Sequence, residues 1–563
     1  MLLPVLAAVL CKITLSYDVK AVMTVSAKFY KNKKVLVVDD CDPVRASIKS
    51  MLLKIGFDHI ATVTDANAAI ANCTEVQYDF ILSDFNLGEG KDGYQLFEAL
   101  KHLQLLKSSC CFLLISAESH RQIVHGMIEL QPDSYLLKPF SFLQLEKRLL
   151  RALQIKTALA RVYSEIQQNQ FIEATNSCDL VIKNDVDFAI YAIRLKGELL
   201  LQLEHFQAAE QLYQQILLRR DYAWARLGLA IARFCQHRWL EAEFELRELA
   251  KLDETKVEAL DWLSRLFIKR ELLKDAFQTL AEVTKLSPKN YQRQKALANL
   301  ASINNDKDET VKIYARLLQA ARYSIYDTPE NFLNYARAII EQAKDVNKLE
   351  QSRLLAKVND ILGNIGKRFS QESYLHQEFV VRARISMLKG QLDEAREWLL
   401  KSDNSEQSRV LSVEACLDKA RAFFEVGNLS RSDDYMDKLA AVVSHDDLLA
   451  NTLSVLIKQE HQHHENLREE IKTLNNDGLE AYQSGYYGRA LEFFNKAFEY
   501  MPYNPSLALN LLQTIGKIGG VNKDTARLAR RCVAILEQSE LSEANSRRFD
   551  VIMKELAAVL SLD

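Results

Sequence analysis

Five short apolar runs, four of them nearly unbroken, lie between positions 35 and 137: Val35 to Val38, Ile60 to Thr64, Phe80 to Ser83, Cys111 to Ile115 and Tyr135 to Leu137. A strand that is apolar on both faces has to be covered on both, as in a parallel sheet held between two layers of helices. Amphipathic segments near 43–55, 66–73, 93–103, 118–129 and 141–153 follow the runs in turn. Five repeats of strand then helix predict a doubly wound α/β domain with right-handed crossovers.

The residues that follow these runs carry the chemistry. Asp39 and Asp40 end the first, Asp84 the third, Ser116 the fourth and Lys138 the fifth. In an open parallel sheet the carboxyl ends of the strands share one edge, where ligands bind. Three carboxylates, a hydroxyl and an ammonium are therefore expected to converge. Crowded carboxylates repel one another, and a hard, oxygen-seeking cation such as Mg2+ relieves that repulsion. A phosphoryl group could then approach a carboxylate, with Lys138 and Ser116 meeting its oxygens.

Over about residues 33 to 155 the chain resembles the receiver domain of two-component response regulators. The matching pieces are Val37-Val38-Asp39-Asp40 with Pro43, Ser83-Asp84-Phe85-Asn86-Leu87, Ser116-Ala117-Glu118, and Tyr135-Leu136-Leu137-Lys138-Pro139-Phe140. The resemblance implies a flavodoxin-like, five-stranded parallel sheet in the order 2-1-3-4-5. It implies that Asp84 accepts phosphate from a histidine kinase or phosphotransfer protein, and that Asp39, Asp40, Asp84 and the Asn86 carbonyl organise Mg2+. Ser116 and Tyr135 would be the switch pair, and Lys138, before a cis Pro139, would contact the phosphoryl group. Asn86 and Glu118 occupy the positions that tune dephosphorylation, and there they resemble members with a short-lived phosphoryl state. The loop from Leu87 to Gly93 is one residue longer than the commonest family form.

The remainder needs composition to read. With 17 Gly and 8 Pro in 563 residues, about 4% against the roughly 12% of average usage, the chain is too poor in turn formers to be mainly strands and tight turns. It must be mostly helix. Beyond Pro139 no Gly or Pro occurs before Gly197, so the junction after the α/β domain is expected to be helical or very short. Ala174, Ala209, Ala242 and Ala276 then recur at spacings of 35, 33 and 34, each with Phe171, Phe206, Trp239 or Leu273 three positions ahead and a large residue (Cys178, Tyr213, Leu246, Leu280) four positions on. Gly478, Tyr482, Gly485, Tyr487, Ala490, Phe494, Ala497 and Pro502 form a further copy, with partial copies at Gly390, Leu392 and Ala395 and at Ala420, Gly427 and Leu429. This pattern resembles the tetratricopeptide helical hairpin, in which a small residue lets two helices approach. The expected organisation is an extension over 1–32, a receiver over 33–155, tetratricopeptide-like repeats over 156–290, irregular helical repeats over 291–375, and repeats with terminal helices over 376–563, the whole array an all-α superhelical solenoid. Arg194, Glu198, Asp261 and Arg265 fall by register either on a protein-binding groove or on a solvated helix face.

The nine cysteines include no C-x-x-C pair and fit neither a disulfide framework nor a zinc site, which points to a reducing, cytoplasmic setting. The apolar run Leu2 to Leu10 resembles the core of a signal peptide but lacks a preceding Lys or Arg and a small cleavage residue; Met23 stands as an alternative start. The formal net charge of -3 argues against a nucleic-acid partner, and no phosphate loop, nucleophile elbow or metal-protease motif suggests further enzymology. His461, His464 and Glu465 share a helical face but need a partner on a second element to hold a metal, and Arg527, Arg530, Arg531, Arg547 and Arg548 are interspersed with acids. Vicinal Cys110 and Cys111 read as buried packing. The expected function is that of a bacterial response regulator phosphorylated on Asp84, with output through protein binding and a homodimer open to it. The alternative is an auxiliary protein that binds a sensor kinase or sibling regulator and drains its phosphorelay. A DNA-binding factor is disfavoured, as no helix-turn-helix with a basic recognition helix occurs.

Overall fold

The structure, a computed structural model, describes residues 30–117, 129, 132–405, 411–440, 447–518, 523–537, 539 and 541–560. Met1, Met23, Glu118 and, except for Glu129, the segment 118–129 lie outside them. The chain divides into two compact units, one of residues 1–331 with 444–452 and the other of 332–443 with 453–563.

The first unit opens with a five-stranded parallel sheet of β1 (Lys34–Val38), β2 (His59–Val63), β3 (Phe80–Asp84), β4 (Cys111–Ser116) and β5 (Ser134–Leu137), in the order β2-β1-β3-β4-β5. Among the described residues four helices accompany it: α1 (Asp42–Ile55), α2 (Ala66–Glu75), α3 (Gly93–His102) and α4 (Phe142–Ala158). The strands have period two, so alternate residues feed opposite layers. Leu36, Val38, Ile81, Phe112 and Leu114 pack among Ala69, Leu96 and Phe97 of α2 and α3. Val35, Val37, Phe80, Leu82, Leu113 and Ile115 pack among Leu52, Leu145 and Leu149 of α1 and α4. Register aligns the strand ends: Val38 pairs with Ser83, Asp84 with Ile115, and Ser116 with Leu137. Asp92 caps α3 and Ser141 caps α4, each in a reciprocal capping box with a Gln three residues on.

Only Leu159 separates α4 from the first of ten further helices. These are α5 (Ala160–Gln167), α6 (Phe171–Asn184), α7 (Ala189–Gln202), α8 (Phe206–Leu217), α9 (Ala223–Cys235), α10 (Trp239–Leu249), α11 (Lys256–Lys269), α12 (Leu273–Leu286), α13 (Tyr291–Ile303) and α14 (Lys307–Ala321). They pair as five consecutive hairpins, and the first helices of successive hairpins also touch, α7 with α9 and α9 with α11.

One backbone device repeats in every hairpin turn. Asn169, Glu204, His237, Glu271 and Asn305 all have φ between 58° and 61°, the left-handed region that β-carbons disfavour. After each, the next amide bonds back five residues: Gln170 to Glu165, His205 to Leu200, Arg238 to Arg233, Leu272 to Phe267 and Asp306 to Ala301. This 6→1 bond of the Schellman type ends one helix and aims the chain into the next. Five residues beyond each left-handed position comes a buried small side chain, Ala174, Ala209, Ala242, Ala276 or Thr310. The period therefore runs on through α13 and α14, where Asn305 and Thr310 stand in for the Gly and Ala that a sequence reading looks for.

The second unit uses the same turn with glycine, at Gly390, Gly427 and Gly485, with φ of 74°, 80° and 81°. Ala395, Ser432 and Ala490 follow at the same offset, each buried. Its helices are α15 (Pro329–Ala343, which begins in the first unit), α16 (Lys348–Arg368), α17 (Leu375–Leu388), α18 (Leu392–Ser405), α19 (Val413–Glu425), α20 (Leu429–Ala440), α21 (Leu448–Gln483, likewise begun in the first unit), α22 (Tyr487–Tyr500), α23 (Pro505–Ile518), α24 (Lys523–Glu537) and α25 (Glu543–Leu560). A continuous core from Val380 to Leu556 joins α17 to α25.

Candidate phosphoacceptor site

The carboxyl ends of β1, β3 and β5 bring four charged side chains to one place. Ligand oxygens of Asp39, Asp40 and Asp84 all lie within 4.8 Å of one another. The Lys138 ammonium bridges two of them, 2.7 Å from Asp39 Oδ2 and 2.8 Å from Asp84 Oδ2. Asp39 is buried, Asp84 and Lys138 are mostly so, and Asp40 is exposed at the mouth. Burial, with the Asp39 charge adding to it, holds the Asp84 carboxyl above its usual range despite Lys138. Burial opposes the charge on Lys138, but hydrogen bonds to Asp39 and Asp84 outweigh it and raise its pKa.

Each carboxylate is aimed by backbone donors. Asp39 Oδ1 accepts from the Cys41 amide at 2.9 Å, and Asp84 Oδ1 from the Phe85 amide at 2.8 Å. Ser116 is buried at the end of β4, and its carbonyl accepts from the Lys138 amide at 2.7 Å, which ties β5 to the site. The Lys138–Pro139 peptide is cis. Tyr135, 9% exposed, lies on β5. Asn86 is exposed two residues beyond Asp84, its side-chain oxygen accepting from the Gly88 amide at 3.3 Å. Glu118 is outside the described residues.

Three contributors escape motif reading. Arg45, one turn into α1, bonds the Asp39 carbonyl and pairs with Asp42. Gly88 has φ of 73° and lies so close to Asp40 that a Cβ there would stand 3.3 Å from its Oδ2. Gly93, the first residue of α3, packs on the Asp84 carbonyl, and its amide donates to Phe85 O at 2.8 Å. A Gly directly after a capping Asp was the available signal for the last.

The other candidates do not assemble into sites. Arg194, Glu198, Asp261 and Arg265 line neither an open groove nor a solvated face: all four are buried, at 2%, 2%, 7% and 5% exposure. The reason is local pairing and stacking, with Arg194 Nε 3.2 Å from Glu198 Oε1, Asp261 held by Arg293, and Arg265 stacked 4.5 Å over the Trp262 ring. Burial pushes the Glu198 carboxyl up to about 7. His464 is turned into the second unit's core, stacked 4.0 Å from Phe424 and 3.3 Å from Glu460, while His461 lies 3.6 Å from Glu465 on its own helix. Arg548 bonds Gln513 and Asn510, and Arg531 covers the Phe498 ring. Burial pushes the Cys110 thiol up to about 12 and leaves it an apolar filler. Among the described residues, Asp39, Asp40 and Asp84 form the one cluster of this kind that could hold a metal, and no helix is long and apolar enough to cross a membrane.

Residues 35–150 match the response regulator receiver domain. Over 125 residues the chain is 30% identical to chemotaxis protein CheY-3 of Vibrio cholerae, an alignment covering 21% of this chain and 90% of that protein. Chemotaxis protein CheY of Pseudomonas aeruginosa is 28% identical over 116 residues, covering 21% of this chain and 92% of that one. Among solved structures, chemotaxis response regulator CheY4 of Vibrio cholerae is 26% identical with a TM-score of 0.20, covering 22% of this chain and 98% of its own. Through the receiver domain that it carries at residues 35–150, the chain belongs to the response regulator family.

Proposed function

We propose that the chain is a response regulator of a bacterial two-component phosphorelay, phosphorylated on Asp84 and acting through protein binding by its helical repeats. The observation that carries this reading is the Lys138 ammonium held between Asp39 and Asp84, with Asp40 beside them. In the phosphoryl transfer, an Asp84 carboxylate oxygen forms a bond to phosphorus as the N–P bond of a donor phosphohistidine breaks. The freed imidazole nitrogen keeps the electron pair and takes up a proton. Lys138 and Ser116 meet the transferred oxygens, and Ser116 and Tyr135 reorient as the switch.

The donor set suits a hard divalent cation: three carboxylates from two strand ends, with the Asn86 carbonyl as a fourth oxygen. Mg2+, when bound there by Asp39, Asp40, Asp84 and Asn86, supplies charge neutralisation that lets a phosphoryl group approach Asp84. Asn86 and Glu118 set a short phosphoryl lifetime.

The output region reads as tetratricopeptide-type repeats over 156–290 and 376–563; the hairpin α13–α14 carries the same turn, and the less regular helices follow it. The recurring left-handed turn and the buried small residue five positions on support that reading. Beyond self-phosphorylation and self-dephosphorylation at Asp84 no enzymatic activity is proposed, and the setting is cytoplasmic. Incubating the purified chain with Mg2+ and acetyl phosphate tests the central claim by intact-mass spectrometry. One phosphoryl adduct is expected on the wild type and none on Asp84→Ala; an equal adduct on both would move the acceptor elsewhere.

A further inference from the structure

The three carboxylates of the acceptor site are not held alike. Asp39 is fixed by the Cys41 amide at 2.9 Å and by Lys138, and Asp84 by the Phe85 amide at 2.8 Å and by the same ammonium. Among the described residues no donor holds the Asp40 carboxylate, which is exposed with Gly88 beside it. Three anions within 4.8 Å of one another repel. Lys138 ties two of them together, so the repulsion falls on Asp40, the one free to turn away. Its place in the site depends on the backbone that carries it.

That backbone is clamped by one side chain. Arg45, in the first turn of α1 and 11% exposed, donates from Nη1 to the Asp39 carbonyl and pairs through Nη2 with Asp42 Oδ1. Both acceptors lie on the link from β1 to α1, one on each side of Asp40 and Cys41. The link's other ties are backbone bonds, from the Asp39 amide to the Val63 carbonyl at 3.2 Å and from the Val44 and Arg45 amides to the Cys41 carbonyl at 3.1 and 3.0 Å. Cys41, the N-cap of α1, makes no side-chain bond to the helix. A guanidinium is a rigid plane with donors in a fixed fork, whereas a lysine ammonium is a point donor on a flexible stem. Two acceptors held by one guanidinium are therefore fixed relative to each other, and Asp40 between them inherits its direction.

We infer that Arg45 is the positioning residue of the cation site: by spanning Asp39 and Asp42 it holds the Asp40 carboxylate toward Asp39 and Asp84, and thereby favours Mg2+ over Ca2+. The inference rests on the reading of Asp39, Asp40 and Asp84 as Mg2+ ligands. Mg2+ demands near-octahedral oxygens at about 2.0–2.1 Å, while Ca2+ accepts a flexible shell at about 2.3–2.6 Å. A loosened carboxylate is thus felt more by the smaller ion. The sign of the effect separates positioning from charge. Arg45 is itself a cation beside a cation site, so by charge alone its removal would tighten Mg2+ binding; positioning demands that removal weaken it.

Calorimetric titration of the full chain with Mg2+ and, separately, with Ca2+ tests this in the wild type, Arg45→Ala, Arg45→Lys and Asp84→Asn. Arg45→Ala is expected to weaken Mg2+ about tenfold and Ca2+ by less than about twofold. Arg45→Lys keeps the charge without the fork and should still weaken Mg2+ about threefold. Mg2+ binding by either Arg45 variant as tight as in the wild type, or tighter, overturns the inference. So does an equal loss for both ions, which would make Arg45 a general support of the fold. If the wild type and Asp84→Asn bind Mg2+ alike, the three-carboxylate reading itself fails whatever the Arg45 variants do, and the inference falls with it.

Discussion

Gly93 and Asp84 are in backbone contact: a Cβ on the glycine would lie 2.1 Å from the Asp84 carbonyl oxygen and 3.0 Å from Phe85 Cα. Neither neighbour is a flexible side-chain end, so relief has to come from moving the loop that carries the acceptor. Gly93→Ala is expected to cost about 1–3 kcal/mol and to weaken Mg2+-dependent beryllofluoride binding. Melting curves with and without the ligand read both effects, and a variant that melts and binds as the wild type does would disprove the contact.

A second glycine pair predicts a coupling. Tyr213, in the second helix of its hairpin, is sandwiched by Gly197 and Gly228 from two first helices, where added Cβ atoms would come within 2.5 Å of its hydroxyl and 2.2 Å of its ring. Gly228→Ala alone is expected to lower stability by about 2–3 kcal/mol. Combined with Tyr213→Leu, the loss should be smaller than the sum of the two singles, because the clash is then absent. Thermal unfolding of the four proteins gives the cycle, and additivity would contradict it.

In the second unit, Asp418 is held by Arg337 Nε at 3.0 Å and Arg384 Nη1 at 2.7 Å, with all three side chains nearly sealed from water. Burial opposes the charge on Asp418, but the two guanidinium groups outweigh it and lower its pKa. Its contribution is therefore present above the ordinary carboxylate pKa and is lost as pH falls through the lowered one. Asp418→Asn removes the negative charge that Arg337 and Arg384 share, while Arg384 keeps Glu341 and Arg337 keeps Asn334 and Gln377, and should cost about 1.5–3 kcal/mol at neutral pH, read as a lower urea midpoint for that unit.

Glu98 gives the opposite pH dependence. Burial, with Asp92 nearby, pushes its carboxyl up from 4.5 to about 7, while the Tyr326 hydroxyl partly opposes this. Tyr94, Lys289, Arg316 and Arg322 line one cavity with it. A raised carboxyl pKa means that the native state holds its proton longer. Stability of the first unit should fall as pH rises from 4.5 to 7 and level off above, by at most about 3 kcal/mol. Glu98→Gln should flatten that slope in denaturation series between pH 5 and 8; a slope of unchanged size would assign it to another group.

The turn at Glu204, exposed and at φ 60°, carries a side chain where none is needed. Glu204→Gly is expected to raise stability by about 1 kcal/mol through relief of the left-handed conformation, whereas Glu204→Ala should not. Equal melting temperatures for the two variants would dissociate the turn from strain.

The sheet and its site were legible because parallel strands leave continuous apolar runs and the residue after each run is the one that reaches the common edge; Asp39, Asp84, Ser116 and Lys138 all end where that logic puts them. The first four hairpins were legible through Ala174 to Ala276. The fifth was obscured because its small residue is Thr310 and its turn Asn305, although Thr310 falls 34 positions after Ala276. The burial of Arg194, Glu198 and Arg265 could not be read at all: a polar helix face looks the same in sequence whether it meets water or folds over a neighbouring Trp262. The same holds for the pairing of Lys289 with Asp92, which lie almost two hundred positions apart.

The left-handed residue that returns every 33 to 35 positions also sets how this chain can change length. Removing 34 residues between His237 and Glu271 would splice one turn onto its equivalent, leaving each first helix followed by a second helix and every 6→1 bond available. Removing half as many would join unlike halves and put two apolar stripes on solvent. Gain or loss of whole hairpins is thus an allowed edit to the array, and gain or loss of parts is not.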